Sequence, residues 1–231
     1  MKKRIFEIDL LRFIAIFLMI LYHLAYDVQY YLGKYINFEG LGWTFIGKTA
    51  SFLFILVSGI SSGFSKNNIK RGIKTFAWGL VVTFFTFIFL KEEYVRFGIL
   101  HFLGLCMMIY PFLYNINSIV LLILSFVSLY LSLLFKKITI NTFLFLPFGL
   151  YYKGFSSIDY FPIFPYISIY ILGIIIYKNF YEKGKTLFKI KIGFIEYISQ
   201  KSLVIYLIHQ PILLGIIYLI KLLRRIAYDI F

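Results

Sequence analysis

Long uninterrupted apolar stretches, separated by short basic or turn-forming segments, make up most of this chain. Runs at Ile8–Tyr31, Trp43–Phe64, Ile73–Leu90, Phe97–Tyr114, Ser118–Phe135, Ile163–Tyr177 and Ser202–Ile220 each approach the ~20 residues a helix needs to cross a ~30 Å hydrocarbon layer. The pattern predicts an all-α, polytopic transmembrane helix bundle of about seven spans, forming a single domain over residues 1–231. The sixth run is short and calls for extension or tilt. An eighth piece, Ile140–Tyr152, is shorter still and contains Pro147 and Gly149; it reads as a re-entrant or interfacial segment. Asp9 and Arg12 interrupt the start of the first run, and no small-x-small cleavage site follows it, so it reads as an uncleaved signal anchor.

Composition narrows the class. Residues in the hydrophobic set make up 61%, charged residues only 15%, and mean hydropathy is +0.87, which excludes both an ordinary soluble globule and a disordered chain. The formal net charge is +14. A nucleic-acid binder would gather such charge on a water-exposed face. Here it sits in loops between apolar runs, as topology and anionic headgroups require. Thirteen of the 24 basic residues form three clusters, at Lys2–Arg4, Lys66–Lys74 and Lys178–Lys201. The positive-inside rule places these in the cytoplasm, with the N-terminus inside and the C-terminus outside. Lys221, Arg224 and Arg225 then fall outside as a mild exception. Counting Ile140–Tyr152 as a span would push the third cluster out, against the rule. Cys106 is the one cysteine, so no intramolecular disulfide forms.

The candidate chemistry lies where lipid should be. The first run carries Asp9, Arg12, His23 and Asp27, at spacings of 3, 11 and 4. Eleven residues is close to a whole number of helical turns, so all four share one stripe. Arg12 and His23 lie roughly 16 Å apart along it. Ionisable groups at membrane depth are functional candidates by default. Asp27, one turn past His23, is placed to orient its imidazole. The competing reading is a polar face packed near the membrane surface, with Asp9 and Arg12 as an end-of-helix pair.

His101, in the fourth run, is placed near the depth of His23, although a lone histidine on an apolar face is more often a packing residue. His209 and Gln210 precede Pro211, which should kink the last helix and leave a polar opening. A structural kink with two satisfied side chains is the alternative. No metal-ligand spacing, P-loop, dinucleotide fingerprint or Gly-x-Ser-x-Gly is present. Val57-Ser58-Gly59-Ile60-Ser61-Ser62-Gly63 reads as small residues for close helix packing.

Arg4-Ile-Phe-Glu-Ile-Asp9-Leu-Leu-Arg12, with Leu18-Met-Ile-Leu-Tyr22-His23-Leu-Ala-Tyr26-Asp27, resembles the bacterial relatives of heparan-alpha-glucosaminide N-acetyltransferase. So do Phe52–Gly59, Gly98-Ile-Leu-His101-Phe-Leu-Gly104, Asp159-Tyr-Phe-Pro162-Ile-Phe-Pro165 and Ser202–Pro211, in an order covering nearly the whole chain. The Arg12-x10-His23 pair is also similar to the first-helix motif of membrane O-acetyltransferases that decorate cell-surface sugars. The resemblance implies a multi-pass plasma-membrane acyltransferase. Acetyl-CoA or another acyl-CoA would be its cytoplasmic co-substrate, an extracytoplasmic sugar or glycan its acceptor, and no metal its cofactor. Phe13 stands where relatives commonly have Gly, and the loop Tyr30–Trp43 lacks the histidine held to be catalytic in the lysosomal enzyme. What carries over is therefore generic acyl transfer.

In that reading His23 is the base, with Asp27 orienting it, and His101 or Gln210 donates to the oxyanion. Arg12, Lys70 and Arg71 hold the CoA phosphates, and Asp159 and Tyr160 contact the acceptor. The reading requires a passage from the cytoplasmic face to His23. Partners are the bilayer and the acceptor, with no nucleic acid. The rival reading is a small transporter or flippase for a polar headgroup, using the same stripe for binding or proton coupling.

Overall fold

The computed structural model describes residues 4–38 and 40–230, without the side chains of 227–230. Lys2, Lys3 and Glu39 lie outside the described residues. The regular elements are helices: α1 (Phe6–Leu32), α2 (Leu41–Ser62), α3 (Asn68–Leu90), α4 (Ile99–Tyr114), α5 (Ser118–Phe135), α6 (Ile163–Ile176), α7 (Gly193–Gln200) and α8 (Ser202–Ile230). Six helical segments are long and apolar enough to cross a membrane, α6 among them only with the turn that continues it to Tyr181, and α4 is a shorter apolar helix. The chain is a multi-pass membrane protein of the all-α class, as its hydropathy predicts.

Helix ends depart from the apolar runs where a polar group sets the boundary. The Asn67 side chain accepts from Lys70 N at 2.8 Å, which starts α3 ahead of Ile73 and inside its basic cluster. Phe97 makes a single β bridge to Tyr160, so α4 starts after it. Asp159 reaches the first turn of α4 and accepts from Ile99 N at 3.1 Å, a carboxylate at a positive helix end. A Cβ on Gly98 would lie 2.2 Å from Asp159 Oδ2, so this cap requires glycine. Residues 140–152 hold no helix beyond a 3-10 turn at Leu146–Phe148, closed by Gly149 at φ +97°. The sixth run continues past α6 into a π turn at Tyr177–Tyr181. α8 runs as one helix through Pro211 to Ile230, which places Lys221, Arg224 and Arg225 on the helix rather than in a loop.

The chain divides into two compact units, Met1–Phe54 with Leu187–Phe231, and Ile55–Thr186. In the first, α1 packs on α7 and α8. α1 and α8 run in the same direction: Arg12 meets Ser199 just before α8 begins, and Lys221 Nζ lies 5.7 Å from the Tyr31 ring centroid further on.

In the second, α3 packs on α4 and α5 on α6. The small residues of α2 act as expected. A Cβ on Gly59 would lie 2.3 Å from Tyr170 O, and one on Gly173 would lie 2.4 Å from Leu56 O. The α2 and α6 backbones therefore touch only because both residues are glycine. α5 turns Leu121, Ser125, Ser128 and Ser132 inward, while Ile119, Phe126 and Leu133 are exposed. Ser125 and Ser128 donate to the carbonyls of Ser168 and Pro165, both at 3.4 Å. Small polar side chains inward and large apolar ones outward is the arrangement that lipid, not water, stabilises.

Candidate active site

All four members of the α1 stripe meet partners on α7 or α8, and none is left to lipid. At one end, Asp9 is 3% exposed. Its carboxylate accepts from Arg4 through Nε at 2.9 Å and through Nη2. Ser199 Oγ donates to it at 2.6 Å and accepts from Arg12 Nη1 at 2.9 Å, while Arg12 Nη1 stands 4.0 Å from Asp9 Oδ1. The hydrogen bond to Asp9 holds the Arg4 guanidinium above its ordinary value. Beside this cluster Glu7 is 3% exposed, and its Oε1 accepts from Leu187 N at 2.7 Å. Two guanidinium groups converge on one buried aspartate here, with Glu7 and Glu196 close by, so the charge at this end of the stripe is paired within the protein.

Three turns further along α1, His23 and His209 face each other with ring centroids 4.9 Å apart. His23 Nδ1 lies 3.0 Å from Met19 O and 3.2 Å from His209 Nε2. His209 Nδ1 lies 2.5 Å from Tyr206 O. A carbonyl only accepts, so each Nδ1 carries its proton. His209 Nε2 is then a bare lone pair facing His23 Nδ1–H, and His23 Nε2 is the nitrogen left without a proton. His23 is half-buried whereas His209 is 8% exposed, so His23 is the more accessible of the two. The arrangement is a base nitrogen whose opposite N–H is held by a backbone carbonyl and a second imidazole.

The expected Asp27–His23 contact is replaced by another. Asp27, 1% exposed, accepts at both oxygens from Gln210 Nε2, each at 2.9 Å. A carboxylate this deeply buried needs donors, and α8 supplies the amide, while the Nδ1 of His23 is committed to Met19 and His209. Gln210 is thus turned toward Asp27, a contact its expected role as an oxyanion donor did not include. Its Nε2 donates to Asp27, and its buried Oε1, without a partner among the described residues, is an acceptor.

The remaining expected residues belong to the second unit. His101 is 2% exposed, flanked by Phe76 and Phe97 at 5.2 and 5.7 Å, with Thr83 Oγ1 3.4 Å from Nε2. Its Nδ1 has no partner among the described residues. It sits as a sealed packing histidine, not as a group open to substrate. Lys70 and Arg71 stand in the first turn of α3, exposed, with Arg71 Nη1 3.4 Å from Asn68 Oδ1. Asp159 is committed to the start of α4. The Tyr160 hydroxyl donates to Leu146 O at 2.5 Å, and burial pushes its phenol above the ordinary value. Both anchor the loop, and an open face toward an acceptor is not what their bonds provide.

Arg4, Glu7 and Ser199 were not singled out by sequence reasoning. The available signal was the amphipathic Phe194, Ile195 and Ile198 of α7, which puts Ser199 beside an apolar face at helical spacing.

The model of the family described as "Heparan-alpha-glucosaminide N-acetyltransferase, catalytic" matches residues 4–211. That range holds α1 through the His209-Gln210-Pro211 turn of α8. No curated protein and no solved structure matches the chain significantly.

Proposed function

The chain belongs to the heparan-alpha-glucosaminide N-acetyltransferase catalytic family, a family of membrane acetyltransferases. From that premise we propose that it moves an acetyl group from cytoplasmic acetyl-CoA to a hydroxyl or amine of an extracytoplasmic sugar or glycan. The observation that carries this reading is the His23–His209 pair, which leaves His23 Nε2 as the unprotonated nitrogen of an imidazole within a membrane helix. The N-terminus is cytoplasmic and the membrane is the plasma membrane in this proposal, since the basic clusters at Lys66–Lys74 and Lys178–Lys201 then face inward.

His23 Nε2 removes the proton from the acceptor hydroxyl or amine as that atom attacks the thioester carbonyl. The imidazolium so formed keeps its Nδ1–H on Met19 O and His209 Nε2, which disperses its charge without a carboxylate. His23 then returns the Nε2 proton to the departing thiolate, so thiol and acetylated acceptor leave and the base is restored. Gln210 Oε1, held by Asp27 through the amide's other end, accepts from a second N–H of the amine or from a neighbouring hydroxyl of the sugar and orients the acceptor. Arg12 is proposed to contact the CoA phosphates.

The experiment uses the purified chain in liposomes with acetyl-labelled acetyl-CoA and a panel of sugars. Acceptor-dependent CoA release and label on the sugar, both abolished by His23→Ala, are the expected result. Movement of a polar headgroup with no CoA release would establish the transporter reading instead.

A further inference from the structure

A cavity of about 790 Å³ lies within the second unit, lined by residues of α3, the 94–97 segment and the 140–153 segment. Its polar lining includes Arg96, Lys153, Asn141 and Thr142, with no acidic side chain among the described residues. Phe143 and Leu144, also on the lining, are exposed at 69% and 67%. Thr83 lines it too, two turns inside the end of a membrane-crossing helix. At ~1.5 Å per residue the cavity therefore reaches roughly 10 Å below the end of α3, from loops with cations down to hydrocarbon depth.

Arg96 is held ready rather than paired. Its guanidinium lies 4.6 Å from the Tyr94 ring centroid, with Tyr152 and Phe155 at 5.5 and 5.6 Å. Such rings fix the plane of the cation without supplying an acceptor. Of its five N–H donors, Nη2 donates to Glu92 O at 3.1 Å, and Nε is buried with no partner among the described residues. A half-buried guanidinium with open donors and no carboxylate beside it favours an anion, and phosphate matches its fork. The acids nearest along the chain, Glu92 and Glu93, are exposed and make no ion pair with it among the described residues, and Asp159 is committed to the start of α4.

We propose that this cavity binds a lipid whose phosphate headgroup is net anionic, the phosphate on Arg96 and Lys153 and the chain over the apolar surface at Phe143 and Leu144. Such a site goes beyond the acetyltransferase reading and does not depend on it. A bulk phospholipid and a prenyl phosphate carrier share this chemistry.

The detergent-solubilised full chain is titrated, by native mass spectrometry, with phosphatidylglycerol, geranylgeranyl phosphate, phosphatidylcholine, glucose 6-phosphate and inorganic phosphate. Expected is at least one of the first two binding about tenfold tighter than phosphatidylcholine, with whichever is tighter identifying the source. Lys153→Glu, at an exposed side chain, should weaken that binding about tenfold, and Arg96→Gln at least as much, with the unfolding temperature of the lipid-free Lys153→Glu chain unchanged. Equal binding of phosphatidylcholine would overturn the proposal. So would glucose 6-phosphate or inorganic phosphate binding as tightly as the phosphate lipids, or indifference to Lys153→Glu.

Discussion

His23 and His101 are both histidines on membrane helices, and their surroundings differ in kind. His101 is enclosed by aromatic rings and by Gly79, where an added Cβ would lie 3.0 Å from the imidazole. His23 is half-buried and shares its Nδ1–H with a carbonyl and a second imidazole. The first arrangement suppresses chemistry by excluding both water and substrate. The second fixes a tautomer and leaves the other nitrogen bare, as the proposed base requires. Depth in the membrane marks both residues as unusual, and only their neighbours distinguish a packing histidine from a base.

Substitutions should widen that contrast in a definite order. His23→Ala removes the base and should lower kcat for acetyl transfer by roughly a thousandfold, read as CoA release at saturating acetyl-CoA. His209→Ala removes the partner of the imidazolium while leaving Nε2 of His23 in place. A fall in kcat of roughly ten- to a hundredfold with KM little changed is expected from loss of transition-state stabilisation alone. Asp27→Asn weakens a charge-assisted hydrogen bond to Gln210 and should reduce kcat about tenfold or less. Gly59→Ala leaves the chemistry alone but forces α2 from α6. Overpacking of about 1–3 kcal/mol should lower the unfolding temperature by several degrees. His101→Gln should have the smallest catalytic effect, with kcat preserved even where the unfolding temperature falls. A kcat loss there matching His23→Ala would break the comparison.

The helices were legible because lipid imposes a simple rule of length and hydropathy, which α1, α5 and the start of α8 obey within a few residues. The polar stripe was legible too, since Asp9, Arg12, His23 and Asp27 lie on one helix and its period fixes their common face. Their partners were not. His23 and His209 are 186 positions apart, and no local pattern says that α8 runs beside α1 in the same sense. For this reason Asp27 was paired with its helical neighbour, whereas packing pairs it with Gln210. α7 escaped because eight residues between lysine-rich segments carry too little apolar length to stand out from an interfacial loop. Asp159 looked available in an external loop for a similar reason. The vacant amide at the start of α4 that it caps belongs to a distant part of the chain.

The account turns on which nitrogen of His23 is free, and three histidines in the chain make that directly measurable. Long-range ¹⁵N–¹H spectra of histidine-labelled protein in a membrane mimetic, assigned through His23→Gln and His209→Gln, report the tautomer of each ring. The structure predicts His23 neutral with its proton on Nδ1, and a changed Nδ1 signal when His209 is replaced. A proton resident on Nε2 of His23, or a His23 spectrum indifferent to His209, would contradict it.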